Sequence, residues 1–504
     1  MTQLQEPRPS FERRATGIEG LDRILDGGFL VPGVYIVQGP PGAGKTILAN
    51  QTCFNHAAAG GRAVYVTLLA ESHSRMFAHL KRMAFFDESA IPDRVYYIGG
   101  YSALEAGGLD GLVTLIRGAI QKHRATLLVV DGLISAQESS PTEREFKKFL
   151  HEIQTLGDLT GCTVLLLTNS QRAAEFFPEH TMVDGVLHLT DELSELRPLR
   201  HIRVLKLRGS APVRGLHSMR ITDQGLEVRP RIETRLAIGG VNEQPVAAGL
   251  KLPFGLADFD EMLRGGVRPG SITMLLGSSG SGKTLLGMQF LSEGVRRGER
   301  VVYFGFYEQP EAILAKCQRV GIGGLKEGVE RGIAQLVWHR PVEGVIDELG
   351  ESLIETIRST RPQRLFLDGI EGFERAADFP QRMSHVYSAI AQELERLGIT
   401  TLYSTETREL FARSIEVPIH GLSAATQNIV LLRHIEHRAA MLRVLAILKV
   451  RDDDYDARMR ELRITNDGLR LLDTFAGESG VAAGGGGSLS DPRAKGPEAY
   501  PRAD

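Results

Sequence analysis

Two octapeptides in this sequence could hold a polyphosphate: GPPGAGKT (Gly39 to Thr46) and GSSGSGKT (Gly277 to Thr284). Each follows a short apolar run and opens a stretch with helical spacing, which is the context a phosphate loop requires. Gly39, Gly42 and Gly44, and likewise Gly277, Gly280 and Gly282, let backbone N–H groups turn inward around phosphate oxygens. The start of the following helix adds its dipole. Lys45 and Lys283 are placed to reach the β- and γ-phosphates, and the Thr46 and Thr284 hydroxyls to ligate Mg²⁺. Asp131 and Asp368 end the apolar runs LLVVD and RLFLD at matching distances from those lysines. A carboxylate at the C-terminal edge of a neighbouring strand faces the crevice where ligands bind in open α/β sheets, and can hold the metal directly or through water.

Phosphoryl transfer also needs a carboxylate to orient or deprotonate the nucleophile. YVTLLAESH offers Glu71 and YFGFYEQPE offers Glu308, with Glu311 a helical turn further on. Glu308 is the better placed because it directly follows an apolar run. Both could instead be ordinary acidic residues in the first turn of a helix. LKLRGS places Lys206 and Arg208 two apart, and LKVRDD does the same with Lys449 and Arg451. Such pairs project from one face of a strand and suit a cationic finger aimed at a phosphate, including that of a neighbouring subunit. Three aspartates, Asp452 to Asp454, follow the second pair and could weaken its field.

The elements that must position these residues occur twice. TGIEGLDRILDGG (Thr16 to Gly28) answers FGLADFDEMLRGG (Phe254 to Gly266), and ITDQGLEV (from Ile221) answers ITNDGLRL (from Ile464), in one order with the phosphate loops, aspartates and LK-x-R blocks. The chain is therefore a duplication. The first copy spans residues 11–235, a linker 236–249, the second copy 250–475, and a Gly-, Pro- and Ala-rich tail 476–504 that is expected to be disordered. In copy one, apolar runs at Val34–Gln38, Ala63–Leu69, Val95–Ile98, Thr126–Val130 and Thr163–Thr168 alternate with helical stretches at 46–59, 73–83, 109–123 and 143–159. Copy two repeats the pattern from Ile272, Val301, Arg364 and Thr400. Near-continuous apolar strands separated by helices predict an α/β fold, a mainly parallel sheet flanked by helices, in each copy.

The 504 residues carry 59 Lys+Arg and 62 Asp+Glu, a formal net charge of -3. No global basic field exists to hold nucleic acid by counterion release. The interval 197–235 is locally basic, but without interleaved aromatics for base stacking it reads as a nucleotide- or subunit-facing surface. Cys53, Cys162 and Cys317 show no metal or disulfide spacing and read as buried apolar residues. No run of about 18 apolar residues and no N-terminal apolar segment occurs, so no membrane span and a cytoplasmic location are expected.

Over residues 12 to 475 the sequence resembles the KaiC-like branch of the RecA-type ATPases. The likeness rests on the IEGLDRILDGG-type lead-in, both phosphate loops, both strand-end aspartates and the LK-x-R-G block. It implies two tandem RecA-like P-loop NTPase domains, ATP and Mg²⁺ as cofactors, and a homo-hexamer with ATP between subunits. Lys206, Arg208, Lys449 and Arg451 would then act in trans. It also implies slow ATP hydrolysis, a signalling or regulatory role with protein partners, and a Ser/Thr autokinase activity in copy two. Family members that keep a clock carry two adjacent glutamates after the second strand; here Leu69-Ala70 precede Glu71 and Tyr307 precedes Glu308. The family's phosphorylated Ser-Thr pair falls on Ser423 and Ala424, with Thr426 the next hydroxyl. Two alternatives follow from these departures and from the fold: a nucleotide-gated scaffold with vestigial hydrolysis, and a RecA-type DNA repair ATPase, which the charge balance disfavours.

Overall fold

The computed structural model describes residues 12–68, 73–169, 178–194, 197–237, 250–340, 345–407, 426–451 and 453–473. It divides into two compact units, Met1–Gly239 and Gly240–Asp504, here called lobe 1 and lobe 2. The tail from 474 onward, the greater part of the linker, Glu71 and Ser423 lie outside the described residues.

Lobe 1 opens with a two-stranded ribbon, β1 (Arg13–Arg14) with β2 (Phe29–Leu30). Its main sheet contains β3 (Gly33–Gly39), β4 (Ala63–Thr67), β5 (Val95–Gly99), β6 (Leu127–Asp131), β7 (Thr163–Asn169), β8 (Gly185–Ser194), β9 (Arg197–Leu207), β10 (His217–Thr222) and β11 (Gly225–Arg229). The order across the sheet is β11-β10-β9-β8-β3-β7-β6-β4-β5. From β5 to β8 all neighbours are parallel, and from β8 to β11 all are antiparallel.

Alternation along β3 shows why its sequence is apolar throughout. Tyr35 and Val37 pack with Leu48, Cys53 and Phe54 of the helix Lys45–Ala58. Val34 and Ile36 pack on the opposite face with Ile116, Phe149 and Ile153, from helices Tyr101–His123 and Glu143–Thr160. A strand covered on both faces has no solvent side to encode.

Lobe 2 repeats this with β12 (Ile272–Gly277), β13 (Val301–Gly305), β14 (Ala334–Trp338), β15 (Arg364–Asp368), β16 (Thr400–Glu406), β17 (Asn428–His437), β18 (Ala440–Val450), β19 (Arg460–Thr465) and β20 (Gly468–Leu472). The order is β14-β13-β15-β16-β12-β17-β18-β19-β20, again parallel up to β17 and antiparallel beyond. Tyr303, Phe366 and Leu402 meet Phe290 and Leu291 of the helix Lys283–Arg296 in one core.

The repeated lead-in has a structural reason. Asp22 accepts hydrogen bonds from the backbone N–H of Thr16 at 2.7 Å and Gly17 at 3.1 Å. Asp260 does the same for Phe254 at 2.6 Å and Gly255 at 3.0 Å. Each carboxylate thereby satisfies the open N–H groups where the chain turns into a short helix. The closing glycine of each lead-in has a positive φ, +115° at Gly28 and +119° at Gly266, and a Cβ there would lie 2.2 Å from the carbonyl oxygen of Arg14 or Leu252.

Candidate functional site

Each phosphate loop sits between the strand and the helix that its sequence predicts. In lobe 1, β3 ends at Gly39 and the helix begins at Lys45; in lobe 2, β12 ends at Gly277 and the helix begins at Lys283. The residue before each helix is left-handed, Gly44 at φ 100° and Gly282 at φ 104°. Only glycine takes that conformation without strain, and it turns the loop N–H groups toward its centre.

The lysines fold into their own loops. Lys45 Nζ donates to the carbonyls of Gly39 and Pro40, both at 2.9 Å, and Lys283 Nζ to those of Gly277 at 2.8 Å and Ser278 at 2.9 Å. Both are nearly buried. Burial pulls both ammonium pKa values down, opposed by Asp131 in lobe 1 and by Glu406, Glu371 and Asp368 in lobe 2.

The threonines meet the strand-end aspartates. Thr46 Oγ1 donates to Asp131 at 3.1 Å, and Thr284 Oγ1 to Asp368 at 2.9 Å. Each aspartate also accepts from a tyrosine of the adjacent strand, Tyr65 at 2.6 Å and Tyr303 at 3.2 Å. Asp368 accepts a further bond from Ser404 at 2.7 Å. Burial is the largest influence on both carboxyls and raises their pKa values, while the hydroxyl donors favour the charged form.

A hydroxyl and a carboxylate this close are hard oxygen donors of the kind Mg²⁺ takes, alongside phosphate oxygens and water. Asp368 makes the fit clearest: it accepts hydrogen bonds from the hydroxyls of Thr284, Tyr303 and Ser404, not from a paired cation, so a buried carboxylate is available to a metal. Among the described residues no cluster of three or more His, Cys, Asp or Glu could bind a metal by itself.

The other sequence candidates are placed differently. Glu308 is half-buried, its Oε1 lies 2.5 Å from Lys316 Nζ, and its charge is among the causes that raise the Asp368 and Tyr303 pKa values. Lys206 Nζ donates to the carbonyls of His180 at 2.7 Å and Thr181 at 3.1 Å, and Arg208 to Thr181 at 2.6 Å. Lys449 Nζ donates to the Thr426 carbonyl at 2.8 Å. The register explains what these can reach. Leu207 pairs with Gly185, which pairs with Tyr35, so the finger lies toward the start of β3, whereas the phosphate loop follows its end. Lys449 pairs with Ile429 and that with Met274, which puts the second finger at the same end of lobe 2's sheet. Neither finger can serve its own lobe's phosphate loop. Thr426 is fully buried and bonded to the Tyr403 hydroxyl, so it is not an accessible phosphate acceptor.

Sequence reasoning missed Tyr65 and Tyr303, although AVYVT and VVYFG place them at equivalent positions of the two copies. It also missed Ser404, Glu371 and Glu406, which have no counterpart in a recognised motif.

A family model for the KaiC ATPase matches twice, at residues 14–233 and 252–474. The chain belongs to the KaiC ATPase family. Among its relatives are "Circadian clock oscillator protein KaiC 1" of Synechocystis sp., 26% identical over 495 residues, covering 95% of this chain and 92% of that protein. "Circadian clock oscillator protein KaiC" of Synechococcus elongatus is 25% identical over 507 residues, covering 96% and 94%. The same-named protein of Prochlorococcus marinus is 24% identical over 493 residues, covering 95% and 96%. The two nine-stranded, largely parallel sheets are the tandem RecA-like α/β lobes of a KaiC ATPase. As for membrane association, no helix among the described residues is long and apolar enough to cross a bilayer.

Proposed function

We propose that each lobe binds ATP with Mg²⁺ and that the protein hydrolyses it in a signalling or regulatory role. The observation that carries this reading is the double occurrence of one constellation: a phosphate-loop lysine, a threonine hydroxyl and a buried aspartate held by a tyrosine. Lys45 and Lys283 would leave their loop carbonyls for phosphate oxygens. Thr46 with Asp131, and Thr284 with Asp368, would hold Mg²⁺, which when bound neutralises charge on the phosphates. We take the lobes as 11–235 and 250–475. Lys206, Arg208, Lys449 and Arg451 lie at the wrong end of their own sheets, which supports their acting on a nucleotide held by another copy, as in a homo-hexamer.

A second reading, an ATP-gated scaffold with vestigial hydrolysis, draws support from Tyr307 in place of a carboxylate and from Glu308 being engaged by Lys316. Autokinase activity on Ser423 is a further proposal from the family. The test is nucleotide stoichiometry lobe by lobe, with γ-labelled phosphate read separately as released or retained on Ser423. Release supports hydrolysis; bound ATP with neither release nor retention supports the scaffold.

A further inference from the structure

Lobe 2 has two carboxylates at its phosphate loop that lobe 1 lacks. β16 lies in the sheet between β12, which leads into the loop, and β15, which ends in Asp368. Its last residue, Glu406, therefore stands where the loop lysine and the metal-binding aspartate face each other. Glu406 Oε1 is 3.8 Å from Lys283 Nζ, and its side chain is more than half exposed. Glu371, three residues beyond Asp368, accepts a hydrogen bond from Thr405 Oγ1 at 2.6 Å and from the backbone N–H of Glu406 at 2.5 Å. It thereby pins the backbone that carries Glu406. Its second oxygen, Oε2, is buried and has no hydrogen-bond partner among the described residues. A buried carboxylate oxygen without a donor is costly and calls for one from a bound group or water.

Lobe 1 has neither acid. The register that pairs Gly277 with Glu406 pairs Gly39 with Asn169, and the residue three beyond Asp131 is Ile134. Meanwhile the positions after β13 are poorly suited to accept a proton. Burial and the neighbouring Glu371 raise the Tyr307 pKa, keeping its phenol protonated. Glu308 is held by Lys316.

We propose that Glu406 is the carboxylate that orients and deprotonates the attacking water in lobe 2, with Glu371 as the positioning residue that fixes it. The inference rests on the reading of lobe 2 as an ATP-hydrolysing site. The water oxygen bonds to the γ-phosphorus while the bridging P–O bond breaks and its electron pair leaves on ADP. The water proton passes to Glu406, which returns it to solvent through its exposed side. Water and ATP are the only reactants.

The experiment uses full-length Lys45→Ala protein, in which lobe 2 is the nucleotide site that remains. Glu406→Gln is expected to lower kcat at least about 100-fold, with ATP affinity changed by less than about threefold and the thermal transition unmoved. Glu371→Gln keeps an acceptor oxygen and is expected to lower kcat by roughly tenfold, again with affinity retained. An unchanged kcat in Glu406→Gln, or kcat and affinity falling in parallel, overturns the assignment. ATP binding without any hydrolysis by the Lys45→Ala protein overturns the hydrolytic reading of lobe 2 and this inference together. Absence of binding refutes the nucleotide-site reading itself.

Discussion

Asp368→Asn should stabilise lobe 2 while disabling it. The carboxylate is buried at the end of β15, and the groups around it are the hydroxyls of Ser404 at 2.7 Å, Thr284 at 2.9 Å and Tyr303 at 3.2 Å. Desolvation outweighs these donors and raises its pKa in the folded state. For an acid with a raised folded pKa, the folded state binds its proton more readily than the unfolded chain does. The associated stability is fully present below the unfolded pKa and is lost as pH rises through the folded one. At neutral pH the charge is a cost that the amide does not carry, and the three hydroxyls can rotate to serve either group. Removing such a functional cost commonly gains about 0.5–2 kcal/mol, or roughly 1–8 °C for a lobe of this size. Losing a metal-binding carboxylate should weaken Mg·ATP binding by at least about 100-fold, beyond what outer-shell changes produce. Nucleotide-free melting, followed by calorimetric titration in the Lys45→Ala background, reads both effects. The stability gain should shrink as pH is lowered toward the folded pKa, because the native carboxylate becomes protonated too. A destabilised nucleotide-free lobe, or unaltered Mg·ATP affinity, would refute the reasoning.

Two other substitutions separate structural from functional roles. Arg364, fully buried at the start of β15, contacts Glu299 at 2.5 Å, the carbonyls of Pro253 at 2.7 Å and Phe290 at 3.0 Å, and the Phe290 ring at 4.5 Å. Arg364→Met leaves those acceptors unpaired and should destabilise lobe 2 by about 3–5 kcal/mol, visible as a lowered melting transition for lobe 2 with that of lobe 1 in place. Lys206→Ala combined with Arg208→Ala should cut turnover at lobe 1 sites by about 10³-fold without changing the amount of ATP bound. Loss of binding in that variant would show instead that the finger serves to hold its own lobe together.

The parts of the fold legible in sequence were those set by local chemistry. Gly44 and Gly282 mark the turn of each phosphate loop, and the apolar runs a sheet covered on both faces. The duplication made each motif a check on the other. What escaped depended on neighbours distant in sequence. The Lys449 pair sits at the end of a strand, β18, as its sequence predicts, but that β17 pairs with β12 depends on a neighbour far away in sequence. Tyr65 and Tyr303 matter only because β4 and β13 lie beside the strands that end in Asp131 and Asp368. Glu406 gains its meaning from the insertion of β16 between the loop strand and the aspartate strand, a relation that no spacing along the chain encodes. Glu308, favoured for directly following β13, turned out to be paired with Lys316, eight residues further on, a competition invisible without side-chain geometry.

The central claim is that one chain carries two equivalent nucleotide sites, and equilibrium binding stoichiometry of ATP with Mg²⁺ tests it most directly. The wild-type chain should bind two ATP, Lys45→Ala and Lys283→Ala one each, and the double variant none. Two bound ATP in the double variant, or a wild-type chain that binds none, would contradict the account.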